Sequence, residues 1–289
     1  RSQYPNGAWP QRYDGTATPA ANPRLAASYP ATWSKTHPKQ KYDRYYTLND
    51  GTIADLIATM LDAFDHYQDT RYLDAALRGG DFLVLAQMPS PQPGWAQQYN
   101  EQMQPAWARK FEPPAISGAE SQQVMRTLLV LYRRSADPRY LQAVQKALPY
   151  YESCLRDDGR LARFYELHTN RPLYMNRKYE LSYSDADVPT HYSFVVGSSL
   201  SRIRGELEKV SALPKDRLWV KNDPKPAKQS KSLSEQAARA VATLDARGAW
   251  VQRGQLKNYP DADVSRIISS KTFIDNLRTL ATYIAAERN

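Results

Sequence analysis

Two carboxylates stand where the chain changes from irregular to helical, and they are the first candidates for chemistry. Asn49-Asp50 precedes an apolar period that starts at Gly51, and Glu120 follows Ser117-Gly118-Ala119 at the head of another. Loops held on a rigid scaffold often carry function, so acidic groups there are candidate acids, bases or ligands. Plain structural readings compete with both. Asp50 reads as a helix N-cap, and on residue type alone that reading is the stronger. Ser117-x-x-Glu120 reads as a capping box, with the hydroxyl capping the helix and the carboxylate reaching back. A glycosidase would need two carboxylates at a set separation, and no spacing here selects a pair. Other chemistries are poorly served. His37, His66, His168 and His191 lack ligand-like spacing and Cys154 is the single cysteine, which argues against a zinc site. The chain has no Gly-rich phosphate loop and no G-x-S-x-G elbow.

The elements that must position these residues are helical hairpins joined by long loops. Ile53, Leu56, Ile57, Met60, Leu61 and Phe64 mark one face of a helix ending near Tyr67. A second helix covers about Arg71 to Gln87, and the pattern returns at Val124–Tyr132 and Tyr140–Cys154. Between the pairs lies Gly94–Ser121, which holds Trp95, Trp107 and Arg109 and is closed to helix at Pro113-Pro114. So long and stiff a loop suggests function, with a Trp-anchored structural loop as the alternative. The hairpins are copies: Asp69-Thr-Arg-Tyr-Leu-Asp-Ala matches Asp137-Pro-Arg-Tyr-Leu-Gln-Ala. Their loops rhyme as well, with Gly7, Gly94 and Gly159 each shortly before a tyrosine. Repeated helix pairs predict an all-α fold, an α/α toroid or solenoid whose equivalent loops gather on one face. One domain over 1–289 is expected, with a helix pair missing ahead of its first loop. After Tyr165 the period weakens, and His168–Phe194 has room for short strands. Further helices are expected at about Leu200–Leu213, Ser232–Gly248 and Val264–Glu287. Lys215–Lys231, rich in lysine and proline, reads as a solvated excursion.

Composition narrows the partners. Net charge is +9 over 289 residues, which favours an anionic partner, but the basic residues are scattered rather than striped. With 20 tyrosines and 6 tryptophans in loop-rich sequence, an acidic polysaccharide fits better than nucleic acid. No apolar run is long enough to span a bilayer, no signal peptide is visible, and a monomer is expected.

Five motifs then carry a resemblance over nearly the whole chain. QYPNGAWPQ, YYTLNDGTI, PAWARKFEPPAISGAES, LARFYELHTNRP and ISSKTFIDNLRTLATYI resemble the family 10 polysaccharide lyases, the pectate lyases. The resemblance implies an α/α toroid that cleaves polygalacturonate by calcium-assisted anti β-elimination, in a secreted or periplasmic setting. It implies Asp50 as an acidic residue of the calcium site. Arginine serves as the base in the family, and Arg171 in Thr-Asn-Arg-Pro is the first choice, Arg163 the second. Arg109, Arg177 and Lys178, with Trp95 and Trp107, become the implied substrate binders. The family's Ala-Gln-His-Asp pattern meets Ala96-Gln97-Gln98-Tyr99-Asn100 here, so Asn100 removes a charge from the implied metal site and calcium is expected to bind weakly. The alternatives are a homologue that binds acidic glycans without cleaving them and a toroidal glycoside hydrolase.

Overall fold

A computed structural model describes residues 2–13, 22–219, 228–256 and 264–287. Its contacts divide the chain into two compact units, Arg1–Val220 and Lys221–Asn289.

The first unit is built on helices whose apolar faces follow the expected period. They are α1 (Thr52–Tyr67), α2 (Thr70–Leu85), α3 (Glu120–Ser135), α4 (Pro138–Ser153) and α5 (Leu200–Ser211). The matching Asp69 and Asp137 do the same work. Each accepts a hydrogen bond from the backbone N–H two residues on, Arg71 at 3.0 Å and Arg139 at 2.9 Å, and so caps α2 and α4. The turns before them match too, with Gln68 and Ala136 both left-handed at the ends of α1 and α3. Between the helices run short strands: β1 (Tyr46–Thr47), β2 (Gln98–Tyr99), β3 (Ala115–Ser117), β4 (Leu161–Ala162), β5 (Phe164–Glu166), β6 (Pro172–Met175), β7 (Leu181–Ser182) and β8 (Val195–Val196). All pair antiparallel, as β1-β2, β4-β8 and the four-stranded order β3-β5-β6-β7.

The rhyming loops have one geometry. Ala96 donates its N–H to the Tyr99 hydroxyl, and that hydroxyl donates to Ala86 O at the end of α2. Ala162 donates likewise to the Tyr165 hydroxyl, which reaches Cys154 O at the end of α4. A buried tyrosine thus ties each loop to the helix before it.

The second unit holds α6 (Lys231–Ala242), β9 (Val251–Arg253), β10 (Arg266–Ile268) and α7 (Ser270–Glu287), with β9 and β10 antiparallel. It repeats the same local plan. Arg156 N to Arg160 O and Gly159 N to Arg156 O close the turn after α4, and Asp245 N to Ala249 O and Gly248 N to Asp245 O close the turn after α6. Trp250 donates its Nε1 to Ala240 O at 2.7 Å, as Trp95 does to Leu83 O at the same distance. Ala240 and Leu83 each lie two residues before the last residue of their helix.

The expectation of an all-α toroid is corrected. The fold is mixed, 43% helical and 11% strand, with several small sheets. Strands of two to four residues are too short for an alternating pattern to show in sequence; only the room left for short strands in His168–Phe194, where β6 and β7 lie, anticipated any of them. Two helix ends move for the same reason. Helix α6 stops at Ala242 because the Asp245–Gly248 turn follows, and α7 starts at Ser270 because β10 precedes it. Of the lysine-rich excursion, Lys215 lies in a short 3-10 turn, while Lys221 and Lys225 lie outside the described residues. Among the described residues no helix is long and apolar enough to cross a membrane.

The core explains both loop tryptophans. Trp95 is fully buried against the helices and Trp107 is 3% exposed, so neither offers a face to a sugar. Replacing Trp95 with alanine should cost about 3–5 kcal/mol of stability, the range for a large aromatic removed from a packed core. Urea unfolding would show it; an unchanged midpoint would contradict this role.

Candidate active site

Three loop–helix junctions of the first unit bring charged side chains together. The strand β1 ends in a tight turn, Asn49–Gly51, in which Asp50 is left-handed at φ 52°. Aspartate tolerates that conformation better than most residues. Gly51, also left-handed, leads into α1, and no side chain caps that helix. Asp50 is therefore not an N-cap. Its carboxylate is exposed, with one hydrogen bond, from Asn49 Nδ2 at 2.8 Å. Its negative charge is felt by Arg109.

Arg109 is held by Glu112, through Nη2 to Oε1 at 2.5 Å and its backbone N–H to Oε2 at 3.0 Å. The Glu112 side chain is almost wholly buried, whereas that of Arg109 is 42% exposed. Burial pushes Glu112 up, but the Arg109 side chain and backbone outweigh it and hold the carboxyl below its usual range. The same hydrogen bond raises Arg109 well above an ordinary arginine.

Arg163, between β4 and β5, points Nη1 at Glu120 Oε1 at 3.1 Å and Nε at Ser193 O at 2.6 Å. The capping-box reading is corrected in part. The Ser117 hydroxyl accepts the Glu120 N–H at 3.2 Å and donates to the carboxylate. Ala119, however, is the N-cap of α3, no side chain caps that helix, and the Ser117 N–H goes to Trp95 O. Burial dominates here and raises Glu120 despite Arg163 and Ser117. Tyr192 joins the two arginines, its ring 5.7 Å from the Arg109 guanidinium and 4.7 Å from that of Arg163. Its hydroxyl lies between Gln97 Oε1 at 3.1 Å and Glu112 Oε1 at 3.2 Å. Gln97 is buried, and its Nε2 lacks a well-formed hydrogen bond although the amide helps to lower Glu112.

Two fixed guanidinium groups thus share one aromatic ring, Arg109 half-exposed and Arg163 mostly buried. The family model described as pectic acid lyase matches residues 1–160 of this chain. The chain belongs to that family. It is a polysaccharide lyase. No curated protein matches it. Among solved structures, a family 10 polysaccharide lyase from Cellvibrio cellulosa superposes with a TM-score of 0.55 at 23% identity, over 73% of this chain and 69% of that one. A mutant of a family 10 lyase from the same organism, in complex with trigalaturonic acid, gives 0.55 at 22% identity over 72% and 69%. At such identity the likeness speaks for the fold.

The other expected site residues of the lyase lie elsewhere. Arg171 stands at the far end of β5 from Arg163, its guanidinium 3.5 Å from the ring centre of Tyr183. Arg177 pairs with Asp187 at 3.2 Å, and Lys178 is exposed with its N–H on Asn176 Oδ1. Trp95 and Trp107 are core residues, as described above. Asn100 does not join Asp50. The register Tyr46↔Tyr99 and Thr47↔Gln98 sends them off opposite ends of the β1-β2 ladder. Its Oδ1 instead accepts the N–H groups of Gln102 at 3.1 Å and Gln104 at 2.9 Å. Sequence reading missed Glu112, Tyr192 and Gln97, because nothing local marks a glutamate or glutamine that folding will bury.

Calcium takes about six to eight oxygen ligands. Among the described residues no three His, Cys, Asp or Glu side chains form a group fit for a metal ion. Among the described residues no such acidic group gathers around Asp50, whose carboxylate is exposed. Asn100→Asp should therefore leave calcium affinity unchanged by calorimetry, since Asn100 serves a turn; tighter binding would place it in a metal site.

A second expectation concerns acid. Glu112 and Glu166 both sit below the ordinary glutamate value of 4.5, because their cationic and hydroxyl partners outweigh burial. A depressed carboxyl contributes stability above its unfolded value, and that stability is lost as pH falls through the folded value. Glu120, raised, works in the opposite sense. Thermal stability should fall below about pH 4.5, and Glu166→Gln should make that fall shallower. An equally steep fall in the variant would remove Glu166 from the account.

Proposed function

We propose that this lyase cleaves an acidic uronate polymer of the pectate type by β-elimination, with the reaction centred on Asp50, Arg109 and Arg163. The observation that carries the reading is the pair of guanidinium groups sharing Tyr192. A uronate carboxylate lying against the Arg163 cation has the charge that grows on it stabilised as the neighbouring C5–H bond breaks, and Arg109 adds its own charge once it has taken the proton. The electron pair of that bond forms the C4=C5 double bond, the C4–O4 bond breaks, and the departing oxygen takes a proton from solvent. No water is consumed in the balance, and the product carries an unsaturated end.

Among the arginines, Arg109 is the one placed to take the C5 proton. Arg163 is mostly buried, with Nη1 and Nε both committed. Arg171 is at the other end of β5. Arg109 has an open side, its side chain 42% exposed. A guanidinium is protonated near neutrality, and Glu112 raises this one further. Its proton-accepting fraction therefore grows tenfold per pH unit, so kcat/KM should climb through pH 8 to 10 without a plateau.

Absorbance of the unsaturated product, followed over a panel of uronate polymers, is the direct test. Release of reducing ends without that absorbance would make the protein a hydrolase, and binding without either would make it a glycan-binding homologue. Arg109→Ala should lower turnover by about a thousandfold, since proton transfer and charge stabilisation are lost together. Arg109→Lys should recover little, because an ammonium cannot copy the planar fork. Near wild-type product formation by Arg109→Ala, with fold confirmed by circular dichroism, would move the chemistry elsewhere.

A further inference from the structure

A second cationic site lies on the same β5 strand, about 10 Å along it from Arg163, given three residues of extended chain. Its centre is Glu166, 5% exposed. Lys35 Nζ lies 2.8 Å from Glu166 Oε1, and the Tyr183 hydroxyl donates to the same oxygen at 2.9 Å. Thr169 donates to the other oxygen. Each of two cations here lies on an aromatic ring: Lys35 on Trp33 at 3.7 Å and Arg171 on Tyr183 at 3.5 Å.

The charges do not balance. Glu166 neutralises Lys35, but Arg171 has no carboxylate partner among the described residues. Arg171 and Tyr183 are both exposed. A structural cluster would bury its rings and pair its cations. This one keeps, among the described residues, a guanidinium without a carboxylate 3.5 Å from the centre of an exposed ring, which is an arrangement that can take an anion with an apolar edge.

Lys35 arrives from far away in sequence. The described segment before β1 is irregular, yet it is tied down at several points. Ala27 donates its N–H to Leu85 O at 2.7 Å and Ser28 to Met103 O at 3.1 Å. Trp107 donates Nε1 to Ser34 O at 2.8 Å, and His37 Nε2 lies 2.9 Å from Ala108 O. The buried Trp107 thus sets Trp33 and Lys35 beside Glu166. Glu166 and Arg171 face one another across β5 and β6, continuing the register Tyr165↔Pro172. Phe164, two residues before Glu166 and so on the same sheet face, stacks with Tyr192 of the reaction centre at 6.4 Å.

We infer that Lys35, Arg171 and Tyr183 form a distal subsite that holds the carboxylate of a second acidic sugar unit on the same polymer chain. The inference rests on the uronate-lyase reading of the Arg109 centre. A chain crossing this face would meet Arg109 and Arg163 with one unit and Arg171 and Lys35 with another further along. Such contacts act equally on substrate and transition state, so they lower KM without raising kcat.

The test is a chain-length series of oligogalacturonides with the wild type and Arg171→Ala. Arg171 has no buried ion partner, so its removal orphans no charge. The wild type should gain kcat/KM as oligomers grow long enough to reach the second site. In Arg171→Ala that gain should shrink roughly tenfold or more, the worth of a charge-assisted contact, with the loss in KM and little change in kcat. Lys35→Ala should do the same more weakly, and Lys35→Arg should restore it. A loss of kcat equal at every length would make Arg171 part of the reaction centre and overturn the subsite. No change at any length would overturn it too. Should the wild type form no unsaturated product at all, the lyase reading would fall. The subsite would still be judged by calorimetry, where longer oligomers must bind the wild type more tightly than Arg171→Ala, and equal binding would overturn it.

Discussion

A buried carboxylate must keep a cation or lose its charge, and that constraint organises the working face of this protein. Glu112, Glu120 and Glu166 are each 6% exposed or less. Their partners are Arg109, Arg163 and Lys35. Taking a carboxylate out of water is costly unless it is paired and hydrogen-bonded, so each glutamate fixes its cation at the surface. Glu120 shows the limit: with Arg163 and Ser117 against it, burial still raises it. The result is three cations on fixed anchors, which under the proposed function would meet an anionic polymer without first losing side-chain freedom.

Aromatic rings set the spacing within that row. Tyr192 lies between Arg109 and Arg163, Trp33 carries Lys35, and Tyr183 carries Arg171. A ring restrains a cation without neutralising it, whereas a carboxylate does both. This separates two kinds of arginine on the same face. Arg109 and Arg163 are locked by glutamates, and Arg171 is held only by a ring. The tryptophans of the central loop act one level further in: Trp95 braces that loop against α2, and Trp107 holds the segment that delivers Lys35.

The repeated plan explains why one face collects the chemistry. In each copy a helix ends, a tight turn follows, and a short strand leads into the next strand and helix. Glu120, at a strand-to-helix junction, and Arg163, between β4 and β5, meet in this way. The second unit keeps the turn and the bracing tryptophan but has Gln252 where the first has Arg163, counting from Trp250 and Leu161. It therefore presents no equivalent cation there.

The sequence alone determined the helices, their capping aspartates and the copied hairpins, because a period of 3.6 and a cap at a fixed offset are local signals. It also carried the family, through motifs such as YYTLNDGTI and PAWARKFEPPAISGAES. It did not disclose the sheets, whose strands are too short to show alternation, so the all-α expectation failed. Nor did it show that Asp50 would leave its helix uncapped, that Trp95 and Trp107 would turn inward, or that Asn100 would leave the β1-β2 ladder at the end opposite Asp50. Those outcomes depend on strand register and on which glutamates become buried. Both are set by contacts between residues such as Lys35 and Glu166, 131 positions apart, and only the tertiary structure could decide them.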